Sequence, residues 1–312
     1  LAKPNGVSLP STREEEVYDF LSVKGQVANL NEYIDKFDVT LKLMQDYDSL
    51  RRIAFELAED AARENVTYME VRYSPILHQD KGLSLEQVVD AVLEGLHEAE
   101  RKYPIKTGVI ICAIRSFDRS MSLRLAELAV QYKRKGVVGF DLAGREEDNP
   151  AKEHAKAFYT IRKECINCTV HAGEAYGPAS IHQAINVCGA HRIGHGTRLY
   201  EDEDLMNFVR DHRIPLEVCL ISNVQTKAVL RIEHHPFKKY LDNQLRVTLN
   251  TDNRLISRTT VTDELWLAVQ TWDLSFEEVK KIILNGFKSL FIPFPEKARI
   301  YAEAKARLNQ FG

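Results

Sequence analysis

Four side chains in this 312-residue chain have types and spacings suited to chemistry on a bound small molecule: His171, Glu174, His195 and Asp252. The first two stand in TVHAGEAYG, where an apolar run reaches a histidine, then a small pair, then a glutamate entering a loop. A buried structural histidine needs no carboxylate three positions later. In extended chain His171 and Gly173 share one face, and Glu174 falls on the turn. His195 sits in RIGHG, between glycines that allow close approach of backbone and ligand. Asp252 ends the run TLNTD, and Asn253, one residue on, points to the other side. A histidine and a carboxylate at strand ends suit a divalent metal with mixed nitrogen and oxygen ligation. A second histidine and a glutamate beside such a metal suit proton handling around an activated water. Each residue alone is a weak signal. A lone buried histidine is more often structural, and an aspartate at a strand end is often an N-cap.

Convergence strengthens the case, and it depends on the elements that carry these residues. From residue 67 onward, short β-branched runs alternate with helix-period segments. The runs are 67–74, 106–114, 136–144, 167–173, 191–196, 215–223 and 246–253. Several are apolar almost throughout, as expected of strands covered on both faces. Ser84 with Gln87 and Ser275 with Glu278 read as capping boxes, as do Ser11 and Glu14, and Ser120 as an N-cap. Strand starts recur at the spacing of βαβ units, which implies a parallel sheet. No Gly-rich phosphate loop follows a strand, which weakens an open nucleotide-binding sheet. Polar residues instead end nearly every strand: Asp141, Gly144, His171, Glu174, His195, Ser222, Asn223, Asp252 and Asn253. A (β/α)8 TIM barrel brings such ends to one mouth. Residues 30–64 read as long amphipathic helices and LAKPNGVSLPS as loop, so seven strands are counted where eight close a barrel. The expectation is a single barrel domain over 1–312 whose first strand lies upstream of Leu1.

Composition narrows the function classes. The chain is 44% hydrophobic with a net charge of −3, and acids and bases are mixed throughout. No basic stripe suggests a nucleic-acid partner, and no apolar run approaches the ~20 residues of a membrane span. Lys133, Arg134 and Lys135 follow an amphipathic helix, where cations suit the C-terminus. Five cysteines argue for reduced thiols and a cytoplasmic setting. The lone Cys165/Cys168 pair reads as packing. The other eight histidines (His78, His97, His154, His182, His191, His212, His234 and His235) fall on helices, loops or polar faces and are given no role.

In order and spacing, VRYSP, GFDLAG, VHAGE, RIGHG, LEVCLISN and LNTDN resemble the adenosine deaminase family of metal-dependent amidohydrolase barrels. The resemblance runs from about residue 30 to the end. It implies zinc as cofactor, His171 and Asp252 as metal ligands, and Glu174 as proton donor to the purine ring. It also implies that His195 orients and helps deprotonate the attacking water, that Asp252 contacts that water, and that Gly144 lies beside the bound nucleoside. The family's His-x-His pair is absent, so two further zinc ligands are expected upstream of Leu1. Asn253 stands where the best-known members carry a second aspartate; its amide donates to purine N7 without titrating. The activity implied is deamination of adenosine or 2'-deoxyadenosine to inosine and ammonia. Adenine or an N6-substituted adenine nucleotide remains an alternative substrate, and a non-catalytic purine-binding fragment an alternative of another class. The partner is a small-molecule purine nucleoside; oligomeric state is not legible.

Overall fold

A computed structural model describes residues 1–3, 5–25 and 36–311. Seven parallel strands form one sheet in chain order, each hydrogen-bonded to the next among the described residues. They are β1 (Tyr68–Tyr73), β2 (Lys106–Ile114), β3 (Val137–Ala143), β4 (Asn167–Ala172), β5 (Arg192–His195), β6 (Leu216–Val218) and β7 (Val247–Leu249). Helices alternate with them, as the sequence predicts, giving a TIM-barrel-like (β/α) fold. The sheet is strongly curled. Arg72 of β1 reaches Glu217 of β6 at 3.1 Å, and Arg192 of β5 reaches Glu70 of β1 at 2.7 Å.

The reason for the layering is visible in each element. In β2 every residue from Val109 to Ala113 is buried, because one side faces the interior and the other a helix. The following pattern is 3.6-periodic. Leu85–Lys102 buries Leu85, Val88, Val89, Val92, Leu96 and Ala99 along one stripe. One continuous core runs from Leu50 to Ile282. No helix among the described residues is long and apolar enough to cross a membrane.

Local expectations are met in part. Ser84–Gln87 and Ser275–Glu278 are reciprocal capping boxes, and Thr260–Asp263 is a third. Helix Arg119–Tyr132 is capped by Asp118, whose carboxylate accepts from the Ser120 N–H; Ser120 is not the cap. Ser11 accepts from the Arg13 N–H, one turn short of capping helix Glu14–Leu21. The runs 215–223 and 246–253 are strand for only three residues each. Leu220–Gln225 is helical, because the Glu264 carboxylate accepts the Leu220 N–H and starts a helix there. Residues 37–43 and 47–63 are helical as predicted; the part of that reading on 30–35 lies outside the described residues. Cys168 packs in the core, whereas Cys165 is exposed on a left-handed turn, so only half of the CxxC pair packs.

Candidate active site

All the candidate residues lie at the C-terminal edge of the sheet. His171 is the fifth residue of β4, Glu174 enters the loop after it, and His195 ends β5. His171 pairs with Gly194 and Ala172 with His195 in register, so the two histidines stand one register position apart on neighbouring strands. Their ring centroids are 5.0 Å apart. His195 Nε2 lies 3.6 Å from Glu174 Oε2. Asp252 follows β7 and accepts a 2.7 Å hydrogen bond from the Ser222 hydroxyl through Oδ2. Burial works to raise the Asp252 carboxyl. The fields of His195, the Ser222 hydroxyl, His171 and Arg72 outweigh it and hold the group below its ordinary value.

Two of these residues adopt backbone that non-glycine side chains seldom tolerate. His195 has φ +63° and Asp252 φ +52°, both left-handed. Such strain persists only where the surroundings over-determine it, and it clusters at functional sites. Glycine has a specific task nearby. A Cβ on Gly194 would lie 3.1 Å from the Cα of His171, so this residue brings β5 close against the histidine's backbone. At Gly194 the close approach is between strands.

Glu146, in the loop after β3, was not singled out from sequence. Its buried carboxylate accepts the N–H groups of Gly173 (3.0 Å), Glu174 (2.8 Å) and Ala175 (3.2 Å). Three successive amides point at one anion because Gly173 is left-handed, at φ +72°. The turn carrying Glu174 is therefore fixed. Glu174 Oε1 in turn accepts from the Thr226 hydroxyl at 3.0 Å. An acid two residues after Gly144 is too common a pattern to have marked Glu146.

Beneath His171 lies Asp141, fully buried, with Oδ2 3.0 Å from His171 Nδ1 and 3.4 Å from Arg72 Nη1. Burial alone would raise its pKa; His171 and Arg72 hold it well below the usual carboxylate range. Its Oδ1 is buried with no hydrogen-bond partner. His171 Nδ1 is close to the carboxylate without being aligned as a hydrogen bond to it, and a carboxylate on that side leaves Nε2 as the nitrogen open to a metal. With the Asp252 carboxylate this is a mixed N/O donor pair of the kind zinc takes. The donor chemistry fits a zinc ion. The number does not reach three, since among the described residues no three His, Cys, Asp or Glu side chains are grouped to hold one.

Gly144 and Asn253 stand further out. Gly144 follows β3 at φ +100°, and Asn253 caps the short helix Arg254–Ser257 by accepting the Ile256 N–H at 2.9 Å. Among the described residues neither hydrogen-bonds to the other four. His235, given no role from sequence, is buried and bonded to Asn223, which contacts His195. Of the histidines set aside, His78, His154 and His191 do prove structural, bonded to Met44 O, Ser122 and the Cys168 N–H respectively.

Comparison with known proteins agrees with this arrangement. The family model "Adenosine deaminase" matches residues 1–306. An adenosine deaminase of Clostridium kluyveri is 37% identical over 309 residues, covering 99% of this chain and 89% of that protein. One from Mycobacterium avium is 40% identical over 315 residues, covering 95% and 86%. A probable adenosine deaminase of Dictyostelium discoideum is 39% identical over 97% of this chain, which spans 39% of that protein's length. Among solved structures, adenine deaminase of Arthrobacter aurescens aligns with a TM-score of 0.89 at 24% identity, over 99% of this chain and 93% of that one, a likeness of fold alone. Arabidopsis ADAL complexed with IMP aligns with a TM-score of 0.83 at 26% identity, over 90% and 84%. With the family model spanning nearly its whole length, this chain belongs to the adenosine deaminase family.

Proposed function

We propose that this protein is a C–N hydrolase that deaminates adenosine or 2'-deoxyadenosine to inosine and ammonia, with one zinc ion bound. One observation carries the reading: two histidines and two acids from three strand ends meet on one rim, in a chain 37–40% identical to proteins named adenosine deaminase. Replacing the C6 amine by water needs a proton on the ring nitrogen N1, a nucleophilic water, and an acceptor for that water's proton. Glu174 donates to N1; the Thr226 hydroxyl on Oε1 and the Glu146-bound turn hold it in place. Asp252 takes the proton from water while Ser222 steadies its other oxygen. His195 orients that water. Gly144 leaves room for the nucleoside. Asn253 has Oδ1 committed to its helix, so Nδ2 is the group it presents to purine N7.

His171, through Nε2, and Asp252 hold the zinc. When bound, the metal lowers the pKa of water toward ~7 and so makes a nucleophile at neutral pH. A catalytic zinc takes at least three protein ligands, and the reading assigns the others to a His-x-His pair.

The test is a substrate panel with zinc supplied: adenosine, 2'-deoxyadenosine, adenine and an N6-methyl adenine nucleotide, with ammonia release measured for each. Adenosine should give the highest kcat/KM. A higher value for adenine or the N6-methyl nucleotide overturns the substrate assignment. No release from any of them, with stoichiometric zinc bound, overturns the enzyme reading.

A further inference from the structure

The geometry points to Asn223 and His235 as positioning residues that fix the ring of His195 with its single proton on Nε2, facing the reacting groups. A backbone amide N–H can only donate. The Phe237 N–H, at the first turn of helix Phe237–Asp242, donates to His235 Nδ1 at 3.0 Å. Pro236 has no N–H or polar side chain with which to cap that turn, so His235 caps it instead. Nδ1 of His235 is therefore an acceptor and carries no proton.

His235 is 3% exposed, and burial, with His195 nearby, drives its pKa down to about 3, so the ring is neutral. A neutral imidazole with a bare Nδ1 carries its proton on Nε2. That atom lies 3.2 Å from Asn223 Oδ1, which must accept. The orientation of the Asn223 amide is thereby set by the network, with no freedom to flip. Its Nδ2 then donates to His195 Nδ1, 3.0 Å away. Asn223 is fully buried, and its own backbone is held by bonds to Cys219 O and from the Val229 N–H, both 2.9 Å. Every link has a donor and an acceptor, and only one assignment satisfies all of them.

The consequence falls on the deamination proposed above, on which this inference rests. With Nδ1 accepting from an amide, His195 presents an N–H to the site, 3.6 Å from Glu174 Oε2. It has no lone pair there with which to take a proton from water. The expectation that His195 helps deprotonate the water is thus replaced. The proton of the attacking water passes to the Asp252 carboxylate, and the His195 N–H donates a hydrogen bond to the oxygen that adds to C6 without transferring its own proton. A fixed donor aimed at developing negative charge needs no reorganisation when the reaction occurs.

The test is the long-range proton–nitrogen NMR spectrum of protein labelled with ¹⁵N-histidine, recorded metal-free and again with zinc. The His195 signals are assigned by their loss in His195→Asn. The expected spectrum has one protonated nitrogen, Nε2, and a bare Nδ1 in both preparations. A proton on Nδ1, or on both nitrogens, overturns the proposal. Asn223→Asp supplies the second readout, because a carboxylate accepts from both neighbours and draws the His195 proton to Nδ1. The variant should show that switched tautomer, with kcat reduced about 100-fold or more and KM changed far less. An unswitched tautomer with near-normal kcat overturns the positioning role. If the variant does not fold, the wild-type spectrum decides alone. The spectrum does not depend on which substrate is turned over, so its result is independent of the substrate panel.

Discussion

Two layers of charge lie one above the other in the curled sheet, and they are built differently. In the lower layer each charge has an opposite charge at close range. Arg192 sits 2.7 Å from Glu70 and 2.5 Å from Glu217, with the Phe291 ring 3.5 Å from its guanidinium, and Arg72 lies 3.1 Å from Glu217. Burial alone would raise the Glu217 carboxyl, and the two arginines more than reverse it. At the rim the contacts are looser. His195 and Glu174 are 3.6 Å apart, beyond a good hydrogen bond, and His195 and Asp252 are held in left-handed backbone. The lower layer pairs its charges directly; the rim holds its groups by hydrogen bonds from Ser222 to Asp252, Thr226 to Glu174 and Asn223 to His195, with left-handed backbone at two of them. Asp141 joins the two, touching Arg72 below and His171 above.

If the two layers divide the work in this way, substitutions should separate stability from turnover. The largest effect is expected in the lower layer. Arg192→Met strips the cation from two buried glutamates and should cost about 3–5 kcal/mol in urea unfolding, with folded protein still able to turn over substrate. Equal stability to the parent would show that the layer is not what holds the sheet.

At the rim the balance reverses. Glu174→Gln keeps the shape and the Thr226 hydrogen bond, so the unfolding midpoint should stay within about 0.5 kcal/mol. Turnover should fall about 100-fold or more, since Gln cannot supply the proton. Near-normal kcat would remove Glu174 from the chemistry. Asp141→Asn tests the join. Weakening the support behind His171 should lower zinc affinity about 10- to 100-fold, read by competition with a chelator. An unchanged affinity would mean the Asp141 contact does not tune the ligand. Smallest of all, Ser84→Ala breaks a capping box outside both layers and should cost about 1 kcal/mol in thermal unfolding, with kcat and KM untouched. Altered kinetics there would mean that the division into layers is too simple.

The sequence alone determined the parallel alternation of strands and helices, because short, nearly unbroken apolar runs and runs of period 3.6 are written locally. It also placed His171, Glu174, His195 and Asp252 on strand ends, since motif and strand boundary coincide within a few residues. Where the reading failed, the competing partner came from far along the chain in one case and from two residues away in the other. Residues 220–223 look like strand until Glu264, 44 positions away, caps them as helix. Ser120 looks like a cap until the Asp118 carboxylate takes its amide. Only the tertiary structure decided which unremarkable residues serve the site. Glu146 meets three amides 27–29 residues away, Asp141 meets His171 across 30 positions, and His235 is tied through Asn223 to a histidine 40 positions before it. Type and spacing carry no trace of such pairings. A hydrogen bond requires two atoms about 3 Å apart, and in a parallel sheet that distance is set by register between strands separated by a whole helix.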